Sequence, residues 1–120
     1  MPKSFYNELP DIVILSGAAV SNIIRSSTYD DAVALSLIAP SALDAHTYVL
    51  EVNDSPDAVS ADTDWVVLQA GDTPTDVGPP AAGKARVYQE LCFFGAFRIK
   101  DQTGNVAADR TWKCQKQWTS

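Results

Sequence analysis

Apolar and polar residues alternate with a period of two in two stretches near the end of the chain, 97–100 (FRIK) and 111–115 (TWKCQ). This alternation is typical of β-strands that have one buried face and one solvent-facing face. The segment 101–105 (DQTGN) between them contains Asp, Gly and Asn, which tolerate turn conformations. We therefore predict that the region 93–118 folds as two strands that pair with each other in a hairpin.

Shorter apolar segments recur upstream, separated by turn-forming residues. They predict strands at Ile12–Leu15, Ala19–Arg25, Ala32–Ala39, His46–Asn53, Trp65–Ala70, Thr75–Val77 and Lys84–Leu91. A helix competes over residues 31–45, because Ala and Leu favour helices, but Pro40 would break it. Together the predicted elements are about eight short strands, with no long amphipathic helix, and they indicate an all-β fold. We expect an antiparallel β-sandwich of the jelly-roll or immunoglobulin-like type.

The first 11 residues lack regular periodicity, although they contain the large apolar residues Phe5, Tyr6 and Leu9. We predict an extended N-terminal arm over residues 1–11 that packs on a surface of this chain or of a neighbouring one. The remainder, residues 12–120, is predicted to form a single domain, which suits a chain of 120 residues.

The net charge of −6 argues against binding to the phosphate backbone of nucleic acids. No apolar run approaches the roughly 20 residues of a membrane helix, and the N-terminus lacks the basic start of a signal peptide. We expect neither nucleic acid nor a membrane as a partner. Acidic residues concentrate in 54–76 and basic ones in 84–116. This asymmetry would let copies attract one another, although a solvated acidic loop is the simpler interpretation.

Metal and thiol chemistry receive little support. Four aspartates in the acidic loop could hold calcium, but their spacing lacks the glycine and the final glutamate of an EF-hand: Asp54, Asp57, Asp62 and Asp64. The lone His46 and two cysteines do not have the spacing of a zinc site. Cys92 and Cys114 would lie on adjacent strands of the hairpin, where a disulfide is conceivable. We favour buried free thiols, and we predict no cofactor and no metal.

Catalytic motifs are also missing from the sequence, so we predict that the protein is not an enzyme. The cysteines have no neighbouring His or basic partner, and no G-x-S-x-G motif is present. Aromatic residues could instead build a sugar-stacking platform. Trp65 and Trp112 lie in apolar alternation and are predicted to pack in the core, whereas Tyr88 and Trp118 are freer. A nearly terminal Trp118 is expected to meet a neighbouring subunit.

Six short motifs follow one another from about residue 31 onward. They are APSAL (39–43), AHTYVLEV (45–52), T-x-W-x-x-L (63–68), AGK (82–84), G-x-F-R-I (95–99) and AADRTW (107–112). Their order resembles that of small β-sandwich structural proteins of tailed bacteriophages, which decorate or cement the head. Such proteins have no catalytic site, so no functional residue carries over from the resemblance.

The resemblance implies a virion component that is assembled in the host cytoplasm and binds the major capsid protein. A cement protein bridges subunits through many weak contacts multiplied by symmetry, and we expect it to self-associate as a dimer or trimer. The expected contact residues are Phe5, Tyr6 and Leu9 on the arm, with Trp118 at the other end. The alternatives are a carbohydrate-binding β-sandwich module and a neck or tail component of the virion.

Overall fold

The structure is a computed structural model that describes residues 4–70 and 75–119, with side chains described for residues 7–70 and 75–118. Its strands are β1 (Ser4–Glu8), β2 (Ile12–Ile14), β3 (Ile24–Arg25), β4 (Ala34–Ile38), β5 (Tyr48–Asn53), β6 (Val66–Val67), β7 (Gln69–Ala70), β8 (Thr75–Asp76), β9 (Ala85–Tyr88), β10 (Ala96–Asp101) and β11 (Arg110–Thr119). Two 3₁₀ helices span Ser26–Thr28 and Glu90–Phe93. Within the described ranges there is no α-helix and no helix able to cross a membrane. The predicted all-β class is confirmed.

The strands pair antiparallel and form two main sheets. In the first sheet, β4 lies between β9 and β11, and the other side of β11 pairs with β1 and β2 in succession. The second sheet has the order β3–β10–β5–β6, and β7 pairs with β8 in a separate ribbon. Apolar side chains from both main sheets share one buried cluster. This arrangement is compatible with a β-sandwich.

The core is built from the alternating residues that face inward on each sheet. Leu35 and Leu37, which share one face of β4, are fully buried. Trp112 of β11 is fully buried as well, and its ring meets the ring of Tyr48 from β5 edge-on at 5.4 Å between centroids. Aromatic pairs prefer this geometry, so the contact joins the two sheets at one end of the core.

The predicted hairpin of β10 and β11 is wrong. Strand β10 pairs with β3 and β5 in the second sheet, whereas β11 pairs with strands of the first. The connection between them crosses from one sheet to the other, with Val106 buried in the core. It begins as the predicted turn, because the carboxylate of Asp101 accepts hydrogen bonds from the N–H groups of Thr103 and Gly104. Alternation identifies the buried face of a strand but not its neighbour, which is why the hairpin was wrongly expected.

The segment predicted as an extended arm contains an extended strand of the first sheet. Residues Ser4 to Glu8 pair in register with Thr119 to Gln115 of the same chain. The N–H of Leu9 then donates to the carbonyl of Cys114 at 2.9 Å. The chain turns there and continues into β2, which pairs with the first part of β11. One edge of the first sheet is therefore built by the N-terminal segment.

The strands predicted upstream of residue 93 are all shorter in the structure, and three of them differ most. Only Ile24–Arg25 of the stretch 19–25 forms a strand, and the stretch 65–70 is divided into β6 and β7. The stretch 84–91 ends as a strand at Tyr88 and continues into a 3₁₀ helix. The residues that separate the predicted strands 65–70 and 75–77, residues 71–74, lie outside the described residues.

Candidate functional site

The predicted contact residues lie in or next to the paired strands β1 and β11. The side chains of Phe5 and Tyr6 lie outside the described ones, although their backbone belongs to β1. Leu9 is half-buried and packs against the core cluster. Trp118 is half-buried, stands opposite Phe5 in register, and has the ammonium group of Lys116 at 5.4 Å from its ring centre. The structure thus places these residues within a folded sheet edge.

Tyr88 is not the partly free aromatic that the sequence predicts. It stands opposite Leu35 in the first sheet, faces inward, and is fully buried. Its hydroxyl donates to the carbonyl of Gly78 at 2.7 Å, and burial raises its pKa to about 12. Arg86 shares its face of the strand, with the guanidinium 5.1 Å from the ring centre, whereas Glu90 begins the 3₁₀ helix that follows the strand. Tyr88 therefore cannot contribute to a surface platform.

Trp65 and Trp112 occupy different environments. Trp112 packs in the core, as predicted. Trp65 is half-buried on the outer face of the second sheet, where its ring lies 4.3 Å from the guanidinium of Arg98 and its Nε1–H donates to Val59. The prediction of core packing for Trp65 is wrong, because its ring covers the guanidinium of Arg98 on the outer face of the second sheet, whereas Leu68 of the same apolar run is buried in the core.

Strand β9 is an edge of the first sheet and exposes apolar side chains. It pairs with β4 alone among the described strands. Val87 is 62% exposed, and Phe93, in the 3₁₀ helix that follows the strand, is 84% exposed. Lys84 and Arg86 give the same segment a positive charge. We call residues 84–88 together with Phe93 the β9 edge.

A second polar cluster lies at the end of the molecule where β5 begins and β10 ends. The Nδ1 atom of His46 lies 2.5 Å from the carboxylate of Asp101. Nearby, Asp44 accepts hydrogen bonds from the N–H of Ala107 and from Nε of Arg110, which hold its pKa below the ordinary value. Each carboxylate is thus occupied by donors of the chain. These contacts fix the loop before β5 to the connection between β10 and β11.

This cluster does not assemble a nucleophile. A His held by a carboxylate forms two members of a catalytic triad, and the third would be a hydroxyl or thiol bonded to the ring. Within the ranges 7–70 and 75–118, no hydroxyl or thiol hydrogen-bonds to His46. The pair therefore has the geometry of a structural contact.

The two cysteines are free thiols in different elements. Cys92 is half-buried in the second 3₁₀ helix and Cys114 is buried in β11. Burial, with a smaller contribution from Cys92, raises the pKa of the Cys114 thiol to about 12. Burial and Glu90 also raise the pKa of Cys92. The prediction of free thiols is confirmed, although Cys92 is only partly buried.

The acidic loop does not bring its aspartates together as a metal centre. All four are exposed, and Asp62 accepts a hydrogen bond from the N–H of Val59 within the loop. Across the described part of the chain, no three His, Cys, Asp or Glu side chains lie close enough to share a metal ion. Two of the four, Asp54 and Asp64, border a common cleft of about 470 Å³ that also includes Asn53 and Phe94.

No protein family matches the chain, and no curated protein or solved structure is significantly similar to it. Its function is therefore inferred from the surfaces described above, together with the order of motifs in the sequence.

Proposed function

We propose that this protein is a non-catalytic structural component that binds another protein through the β9 edge. The observation that carries the proposal is the exposure of Val87 (62%) on the edge strand β9 and of Phe93 (84%) in the 3₁₀ helix that follows it. Exposed apolar surface of this kind marks sites of protein interaction. Burying each of these two side chains in an interface would contribute about 1.5–3 kcal/mol.

The backbone of β9 supports the same mode of binding. An edge strand presents unpaired N–H and C=O groups, to which a strand of another chain can be added. Basic side chains on an edge discourage copies of the same edge from pairing, because like charges would face each other. Lys84 and Arg86 have this effect, and they also favour an acidic partner.

The partner in this proposal is the major capsid protein of a tailed bacteriophage, with the chain acting as a decoration or cement protein. The motif order described above supports this choice, and the compact two-sheet fold suits a particle that repeats one weak contact by symmetry. The proposal includes a sandwich of the jelly-roll or immunoglobulin-like type, self-association as a dimer or trimer, and assembly in the host cytoplasm. A neck or tail location would use the same edge.

Co-sedimentation with heads of the phage that encodes the chain tests the proposal. Deletion of residues 1–11 is a poor test, since it would remove the β1 strand from the first sheet. We instead compare the wild-type chain with Val87→Glu, which places a negative charge on the β9 edge. The matched control is Val59→Glu, because Val59 is 51% exposed in the loop over the other sheet.

The proposal predicts that Val87→Glu weakens binding by about tenfold or more, which corresponds to ~1.4 kcal/mol. Phe93→Ser should weaken it similarly, whereas Val59→Glu should bind like the wild-type chain. Heads that retain all three variants equally, or that bind none of the proteins, would refute the proposal.

A further inference from the structure

The backbone groups of β9 that face away from β4 can be identified from one hydrogen bond. The N–H of Ala39 donates to the carbonyl of Lys84 at 2.9 Å, so this carbonyl points towards β4. Because the C=O and N–H of a trans peptide point in opposite directions, the N–H of Ala85 points away from β4. The direction alternates along a strand. The N–H and C=O groups of Arg86 therefore point to β4, and those of Val87 point away from it.

The outward backbone groups of Ala85 and Val87 are open to another chain. In the part of the molecule that the structure describes, no strand pairs with β9 on this side, and no hydrogen bond to these groups is found outside the ladder with β4. Residues 84–87 are all exposed. The edge therefore presents two N–H donors and two C=O acceptors that an added strand can reach.

The side chains of β9 give the two faces of this edge different chemistry, because they alternate between the faces of the sheet. Tyr88 points into the core, and the guanidinium of Arg86 on the same face lies 5.1 Å from its ring centre. Val87 points to the opposite, outer face and is 62% exposed. Within the described ranges, neither Arg86 nor the neighbouring Lys84 forms an ion pair. One face is thus apolar and the other carries uncompensated positive charge.

We propose that the β9 edge binds an antiparallel strand in which apolar and acidic residues alternate. This inference rests on the proposed function, since both use the same edge, and it adds the residue types that the partner strand needs. The partner residues opposite Ala85 and Val87 exchange N–H···O=C bonds with them and lie on the outer face, where apolar β-branched side chains fit. The residues opposite Arg86 and Lys84 lie on the charged face, where carboxylates fit.

The orientation and the identity of the partner follow from the same sheet. All the strand pairs of the first sheet are antiparallel, and an added antiparallel strand continues this hydrogen-bond pattern. A second copy of β9 lacks the required pattern, because pairing two such edges would bring the basic side chains of Lys84 and Arg86 together. The partner is therefore an acidic strand of a different protein.

Titration of the ¹⁵N-labelled chain with capped peptides tests this pattern without phage heads. The probe is GTVEVETG, and the matched peptide GTVKVKTG has lysines in place of both glutamates. At millimolar concentration, GTVEVETG should shift the amide signals of Ala85 and Val87 more than those of Arg86 and Tyr88, whose N–H groups point to β4. Its lysine counterpart should bind about tenfold or more weakly, because it places like charges opposite each other.

Backbone methylation of the peptide tests the addition of the strand itself. In the proposed register, the N–H groups of both valines face β9, whereas those of both glutamates point away from it. Methylation of the valine nitrogens should abolish binding. Methylation of the glutamate nitrogens is the matched control and should leave binding unchanged.

Reversal of one charge on the chain tests the contact with the carboxylate. Arg86→Glu should weaken the binding of GTVEVETG by about tenfold or more and strengthen that of GTVKVKTG. The control Lys113→Glu changes the net charge equally on β11, on the other side of β4, and should bind like the wild-type chain. Backbone spectra of both variants should show an intact fold.

The inference fails if GTVEVETG does not move the Ala85 and Val87 signals, if both peptides bind equally, or if methylation of the valines and of the glutamates has the same effect. It also fails if Lys113→Glu weakens binding as much as Arg86→Glu. Heads that bind the chain when the peptide does not would overturn the strand pattern alone. Peptide binding without binding to heads would overturn the capsid partner alone.

Discussion

The Nε atom of Arg98 donates to the carboxylate of Glu51 at 2.8 Å across the neighbouring strands β10 and β5. Both side chains are only 8% exposed, although they lie on the outer face of the second sheet. Trp65 covers the guanidinium group, which also donates to the carbonyl of Ser60. A buried ion pair therefore connects the sheet to the acidic loop.

Replacing Arg98 should destabilise the protein strongly. Removal of one partner leaves the other charge buried without compensation, which costs about 3–5 kcal/mol. We expect Arg98→Met to lower the free energy of unfolding by this amount in urea titrations. The control is Lys100→Met, because Lys100 lies 3.9 Å from Glu51 with its side chain 42% exposed, and should contribute under ~1 kcal/mol. Equal effects of the two substitutions would contradict this assignment.

Gly95→Ala should destabilise the protein because the added methyl group would collide with the backbone at residues 54–56. Overpacking of this kind costs about 1–3 kcal/mol. Gly104→Ala is the matched control, since a Cβ atom there would meet no atom within 4 Å. Urea unfolding should show a change within about 0.5 kcal/mol for the control. A tolerated Gly95→Ala would mean that the loop does not pack on this residue.

Stability should fall at alkaline pH because buried Tyr88 and Cys114 keep their protons in the folded state. The pKa of each is raised to about 12, from ordinary values of 10.0 and 9.0. Their contribution is full below the pKa of the unfolded chain and is lost as the pH rises towards 12. Each group should then lower the free energy of unfolding by about 1.4 kcal/mol per pH unit.

The substitution Cys114→Ala isolates one of these groups. It should make the pH dependence less steep between pH 9 and pH 12, whatever its effect on stability at neutral pH. Urea titrations across this range measure the slope. An unchanged slope would show that the thiol ionises equally in the folded and unfolded states.

The two thiols should also differ in reactivity. Cys92 is half-buried, whereas Cys114 is buried at 1% exposure. Alkylation requires an accessible thiolate, so iodoacetamide should modify Cys92 well before Cys114 in the native protein. Mass spectrometry of peptides taken during the reaction measures both rates. Equal rates in the native protein, with faster modification of both after denaturation, would contradict the packing of Cys114.

The sequence predicts which face of a strand points inward better than it predicts which strands pair with each other. Trp112 was correctly expected in the core, because a period of two is a local property of the strand. The pairing of β10 with β5 was missed, because the sequence of a single strand does not show which distant strand it pairs with. The polar side of β10 was expected to face solvent, but Arg98 is buried by a charge partner and an aromatic ring from elsewhere in the chain.

The candidate surfaces could be predicted only in part. Asp54 and Asp64 were recognised from the acidic composition of their loop, but nothing in the sequence brings them beside Phe94. Phe93 belongs to the apolar run LCFF, which has the composition of a buried segment. Its exposure follows from the 3₁₀ helix that buries Leu91 and turns Phe93 outward. That local geometry is set by tertiary packing.

Hydrogen exchange at β9 tests the binding mode most directly. In the free protein, the amides of residues 85–88 that do not bond to β4 should exchange quickly, because they form an open sheet edge. On phage heads, these amides should become protected by the added strand, while the loop 54–64 should exchange at an unchanged rate. Unaltered exchange throughout β9 in the bound protein would contradict the proposal that the chain binds through this edge.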